Sequence, residues 1–435
     1  MALFYTLAGF ASTPTGSIWI AYLSNVISFI FIFYIFLSKL MKGKSKNKYI
    51  KNNFIILIIV ISLSIFSTNP TTESFYRIHA DYPAFIFLFL GIYINILFTE
   101  NKNFYLLFLS ALLMILSAWS KLPTITCLLV PILLFISLNQ WKNIFYFILF
   151  IFITALITLL FCTNMYGFYD TKFILHDHIT SAGWSDRNNL FDGRNGKIVF
   201  MDYFDAIPLL FRFLVMYLHE FWYLFAGCLF SLLFSFSDHC LKTSRMILRS
   251  FALTYFLVLP PCLSALAHFG GVENSLFFAN TLGFLVCITL LTILLQKLKN
   301  NLLIYITLSF LAFILLLPNI RQSNSFPSST TEAPHQQAYN YLMNGNKDVY
   351  FGWYPISHLL ANSENFSCIE VPTWAGMTKP KEIRFSKNHF PKGSKYLATG
   401  HTGYGSTVLE QYLGELEEVE RPSELSGWRL WKILN

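Results

Sequence analysis

The chain is a succession of long apolar runs separated by short polar breaks, and only its last quarter departs from that pattern. A helix rising 1.5 Å per residue needs roughly 17 to 25 apolar residues to cross the hydrocarbon layer of a bilayer. Ten runs approach that length: 17–37, 53–67, 84–99, 104–120, 123–138, 144–162, 216–236, 251–268, 275–296 and 302–317. After Pro318 the pattern changes. A linker over 319–334, rich in Ser, Thr and Pro from Gln322, leads into a stretch over 335–435 with ordinary globular periodicity. There, 335–343 and 404–416 read as helices, and 348–353, 395–399 and 428–433 as short strands. The expected fold is an α-helical polytopic membrane domain (1–318, about ten transmembrane helices) followed by a small C-terminal α/β domain (335–435). The acidic run Glu410, Glu415, Glu417, Glu418 and Glu420 reads as the solvated face of the second of those helices.

Composition agrees with the pattern and excludes a soluble protein. Of 435 residues, 55% are hydrophobic, 18% aromatic and 12% charged, with 46 Phe. Such a chain cannot cover itself with polar surface in water. Its net charge of +8 lies in short inter-helix loops and in the tail, with no basic domain, so nucleic acid is not expected as a partner. Cytoplasmic loops hold an excess of Lys and Arg. Alternate loops here carry thirteen (Lys39 to Lys51, Lys102, Lys142, Lys242 to Arg249, Lys297 and Lys299), whereas the opposite short loops carry only Arg77 and Lys121.

That asymmetry puts the region near Arg77, the long loop 163–215 and everything after Pro318 outside the cytoplasm. Met1 to Gly16 falls outside as well, with no signal pattern to drive its export. Either an outward helix precedes Met1 in the natural protein, or the segment 17–37 is a reverse anchor. The Lys, Asn, Ile and Phe bias points to an AT-rich bacterial genome and hence to the inner membrane. In that setting the sequon Asn365-Phe366-Ser367 has no consequence. Seven scattered cysteines with no CxxC indicate neither a disulfide framework nor a zinc site.

The candidate chemistry sits at the outer helix ends. Arg77-Ile-His79-Ala-Asp81-Tyr-Pro83 precedes one helix, and Lys121 stands between two others in LLMILSAWSKLPTITCLLVP. Charges at membrane-helix ends are functional candidates. Equally, Arg77 and Lys121 could snorkel to headgroups while Asp81 caps its helix. The loop 163–215 carries His176-Asp177-His178, an HxH triplet able to ligate a divalent metal, with Trp184, Asp186, Arg187, Asp192, Arg194 and Asp202 beyond it. Its arginines suit phosphate and its aromatics suit sugar faces. Two histidines in a polar loop are more often ordinary hydrogen-bonding groups. Arg212, His219 and Glu220 lie where an interfacial helix would enter the membrane, and His268 and Glu273 flank a Gly-Gly turn.

The Asp81 and Lys121 segments, the helix order and the tail's Asp348-Val-Tyr-Phe, Ser394-Lys-Tyr-Leu-Ala-Thr and Gly427-Trp-Arg-Leu-Trp together resemble the GT-C superfamily of membrane glycosyltransferases, the ArnT-like and protein O-mannosyltransferase-like enzymes. The resemblance implies transfer of a sugar from a polyprenyl-phosphate donor to a glycan, lipid or protein acceptor at the periplasmic face. It matches Asp81 to the family's second acidic residue and Lys121 to the basic residue of its TKG stretch, although Ser120 and Leu122 are the neighbours here. The family's first outer loop, with its principal acidic residue, has no counterpart, which agrees with a missing outward helix and leaves activity of the chain as given in question.

On that reading Asp81 and Lys121 are catalytic, and Arg77, His79, Arg187, Arg194 and Arg212 bind substrate. His176 and His178 would hold any metal. Two other classes remain open: a polysaccharide polymerase or ligase centred on 163–215, and a non-catalytic transporter or scaffold. The transporter has no pair of Gly/Pro-interrupted halves in its favour.

Overall fold

The computed structural model describes residues 13–41, 81–166, 184–186, 197–199, 204–236, 242–268, 273–295, 329–351, 354–361, 393–400 and 415–434. The expected runs 53–67 and 302–317 lie outside them, as does 404–414 of the second tail helix. The chain divides into two compact units, one holding 24–167 and 184–325, the other 326–435 together with two smaller segments.

The first unit is helical: α1 (Pro14–Met41, which begins in the other unit), α2 (Asp81–Asn101), α3 (Phe104–Ser120), a 3-10 helix (Leu122–Leu128), α4 (Leu129–Ser137), α5 (Trp141–Tyr166), α6 (Ile207–Phe234), α7 (Lys242–Ala267) and α8 (Phe277–Leu295), with a two-stranded hairpin β1 (Trp184–Asp186) and β2 (Lys197–Val199) between α5 and α6. Four of the helices, α2, α5, α6 and α7, contain stretches long and apolar enough to cross a membrane. In α5 that stretch is only 11% buried, and Phe145, Phe152, Ile157 and Leu160 stand open. Such a helix is costly in water and stable in hydrocarbon.

Packing of α2 on α3 follows from small residues spaced by one heptad. Ala84 and Gly91 on α2 oppose Ser117 and Ser110 on α3. The Ser117 hydroxyl donates to the Ala84 carbonyl (2.7 Å) and the Ser110 hydroxyl to the Gly91 carbonyl (2.8 Å). Two identical bonds seven residues apart fix an antiparallel pair in one register, because small side chains let the backbones approach. A Cβ added at Gly91 would lie 2.6 Å from Met114 Cγ, so the glycine is there for close approach.

Two helices are interrupted. In α6 the backbone at Phe221 leaves helical geometry (φ −124°, ψ 26°), and α7 contains Pro260 and Pro261. The Phe225 and Phe256 rings touch, centroids 5.4 Å apart, and each interruption lies one turn from that contact in the same direction, so both fall at one level. Pro261 has no N–H for the Leu257 carbonyl four residues back. The Thr126 hydroxyl fills that role from the 3-10 helix at 2.7 Å.

The second unit contains α9 (Ser329–Met343), β3 (Val349–Phe351), α10 (Pro355–Leu360), β4 (Tyr396–Gly400), β5 (Leu416–Val419) and β6 (Trp428–Ile433), with sheet order β3-β4-β6-β5. β3 and β4 are parallel and the other pairs antiparallel. Ala338 and Leu342 of α9 pack with Val349, Phe351, Ala398, Trp428 and Leu430 in one core. Gln337 locks α9 to the sheet by accepting from Trp428 Nε1 (2.7 Å) and donating to the Glu424 carbonyl (2.6 Å).

Two sequence expectations are corrected here. The second half of the linker, from Ser329, is already helix. The glutamates expected on a helix face instead belong to an extended segment: Glu417 and Glu418 lie on β5, flanked by Glu415 and Glu420, and all four are exposed. Strong helix formers are overridden here by pairing with β6, whose apolar face covers the core.

Candidate functional site

Asp81 is the first residue of α2 and is buried, 0% exposed. Lys121 is the extended residue between α3 and the 3-10 helix (φ −152°, ψ 111°), its N–H closing the last turn of α3 on the Ser117 carbonyl at 2.8 Å. Pro123 stops the chain from continuing as the same helix. The α2–α3 register then brings the two side chains together, with Lys121 Nζ 2.7 Å from Asp81 Oδ1.

Ser117 supports the junction from below. Its Oγ lies 2.9 Å from Thr124 Oγ1, which lies 2.9 Å from the Lys121 carbonyl oxygen. With one proton on each hydroxyl, Ser117 donates to Ala84, and Thr124 donates to Lys121 or to Ser117. One hydroxyl pair thus ties the first turn of α2 to the loop that carries Lys121. The lysine side chain is 28% exposed and the aspartate side chain 0%, so solvent reaches part of the lysine but not the carboxylate. A negative charge at a helix N-terminus also meets the positive end of the helix dipole. The arrangement sets a partly exposed positive group beside a buried carboxylate.

The same end of the bundle holds the hairpin. Trp184 of β1 is buried against His268, just past the end of α7, with ring centroids 4.4 Å apart, and the two residues form an isolated β-bridge. Part of the loop 163–215 is therefore seated on the end of α7.

Other predicted residues are placed as follows. Arg212 is half-buried in the second turn of α6. His219 and Glu220 are exposed just before the Phe221 interruption, 3.3 Å apart. The structure does not bring either of that pair to Asp81. Arg77, His79, His176, His178, Arg187 and Arg194 lie outside the described residues. Among the described residues, no group of three His, Cys, Asp or Glu is arranged to hold a metal.

Sequence reasoning missed a buried polar triad. Tyr217 of α6 donates to Asn280 Oδ1 of α8 at 3.1 Å, and its hydroxyl oxygen lies 3.2 Å from that of Tyr255 on α7, which then acts as the donor. In an apolar bundle such a network fixes three helices against one another. Its only sequence signal is an Asn inside an apolar run, and two tyrosines cannot be paired across 38 residues without the fold. No protein-family model, curated protein or solved structure matches the chain.

Proposed function

We propose that this chain is a bacterial inner-membrane glycosyltransferase with about ten membrane spans, which moves a sugar from a polyprenyl-phosphate donor to a cell-envelope acceptor at the extracytoplasmic face, where its C-terminal domain also lies. The observation that carries the reading is the Asp81–Lys121 contact of 2.7 Å, a carboxylate and an ammonium from separate helices meeting at one end of an apolar bundle. Such a transfer breaks the bond between the sugar's anomeric carbon and the donor phosphate and forms one to the acceptor oxygen. Asp81 takes the acceptor proton, and Lys121 stabilises the departing lipid phosphate. In the resting pair each group neutralises the other. Donor phosphate draws the partly exposed lysine toward itself, and the carboxylate loses that counter-charge as it takes up the acceptor proton.

The test is transfer by the reconstituted full-length protein from a panel of polyprenyl-phosphate sugars. Asp81→Asn is expected to lower turnover by about 100-fold to 10,000-fold. Lys121→Ala is expected to raise KM for the donor, with insertion unchanged in both. Full activity in both variants would refute the site. If the pair is only a clamp between α2 and α3, the double variant Asp81→Asn/Lys121→Met keeps its turnover.

A further inference from the structure

At the opposite end of the bundle from Asp81, Arg249 of α7 is held, among the described residues, by neutral groups. Its Nη1 donates to Ser137 Oγ at the end of α4 (3.0 Å), Nη2 to the Ser235 carbonyl just past α6 (3.1 Å), and Nε reaches Ser235 Oγ (3.4 Å). The Phe236 ring covers one face of the guanidinium, 4.2 Å from its carbon. Three of five N–H groups are used, so two donors remain. Arg245 stands one turn earlier on the same face of α7. Like charges spaced by four on a helix repel. Ser231, one turn deeper than Ser235 on the same face of α6, is fully buried, and its hydroxyl has no hydrogen-bond partner among the described residues.

A half-buried cation is normally balanced by an anion. Among the described residues Arg249 forms no ion pair, and Lys102 and Lys142 lie at the same end, on Gln140 and on the Tyr146 ring. We propose that Arg249, flanked by Arg245, forms a binding site for a phosphate oxyanion at this end of the bundle. The site is framed by the ends of α4, α6 and α7. It stands at the polar end of apolar helices, where a phospholipid headgroup lies, and its arginine fork matches phosphate geometry. Phe236 and the ends of α4 and α6 orient the two spare N–H groups, and Arg245 supplies a second positive charge. The site is independent of the transfer reaction at the other end.

The experiment uses the full-length protein in neutral detergent and measures the thermal midpoint and the lipid retained by native mass spectrometry. The additions are phosphatidylglycerol, phosphatidylcholine or inorganic phosphate. Phosphatidylglycerol is expected to raise the midpoint and to be retained in preference to phosphatidylcholine. Should millimolar inorganic phosphate reproduce the shift, the site takes free phosphate; should only the anionic lipid do so, it takes a headgroup. Arg249→Gln is expected to abolish the preference. Because that variant also loses the Ser137 and Ser235 bonds, Arg245→Gln is the second test: it leaves the bonds intact and should weaken anionic-lipid binding about fivefold. Equal stabilisation by both lipids with no effect of phosphate, or a lipid preference unchanged in Arg245→Gln and Arg249→Lys, would overturn the site and leave Arg249 as a staple for the helix ends.

Discussion

Two residues carry most of the testable chemistry. Lys121 lies against a buried carboxylate, and removing one member of a buried ion pair is destabilising. Lys121→Met should therefore lower stability by about 2 kcal/mol, less than for a fully sealed pair because the lysine end is wet. Adding Asp81→Asn should restore most of it, as thermal unfolding in detergent would show; a double variant no more stable than Lys121→Met would mean the pair is not mutually dependent. In the second unit, His358 is buried, and its Nε2 accepts the Phe351 N–H at 3.0 Å. Burial lowers its pKa from 6.5 to about 4. The folded state thus holds the neutral ring while the unfolded chain takes up a proton near pH 6.5. Stability is fully present above that pH and falls as pH drops toward 4, by about 3 kcal/mol in all. Denaturant unfolding of 329–435 at pH 7 and pH 4 measures it, and His358→Gln should flatten the difference.

At the scale of elements, the α2–α3 hairpin and the α7 interruption make separate demands. Gly91→Val should destabilise by about 1–3 kcal/mol, since its side chain drives into Met114 and the Ser110 carbonyl. Thr126→Val orphans the Leu257 carbonyl and should cost about 1–2 kcal/mol. Pro261→Ala restores an N–H for that carbonyl, so the double variant should recover the loss; failure to recover would show that Thr126 acts otherwise. Apolar run length located α3 to the residue, and Lys121 stood out as a charge between two runs. The tail strands β3, β4 and β6 were legible as short runs of strand-forming residues. β5 was not, because its glutamates favour helix and only pairing with β6 makes them a strand. Nor could the sequence say that Asp81 and Lys121 touch: that depends on the Ser117 and Ser110 hydroxyls setting a register, and such bonds leave no periodic signal of their own.

For the whole molecule, the bundle has chemically unlike ends, Lys102, Lys142, Arg245 and Arg249 at one and Asp81, Lys121 and His268 at the other. If the basic end faces the cytoplasm, a reporter active only in the periplasm should work when fused after Pro318 and fail when fused after Lys46. The reverse pattern would invert the assignment and remove Asp81 from the extracytoplasmic face. The second unit ends its sheet with β5, whose Glu417 and Glu418 face solvent, Glu418 paired with Arg429 of β6. An outermost strand offers unused backbone groups to any other strand it meets, and closely spaced negative charge makes two such edges repel. That protection guards the folded sheet alone: as acid charges His358 and loosens the core, the apolar faces of the strands come open, so light scattering from the unit should rise as pH falls toward 4.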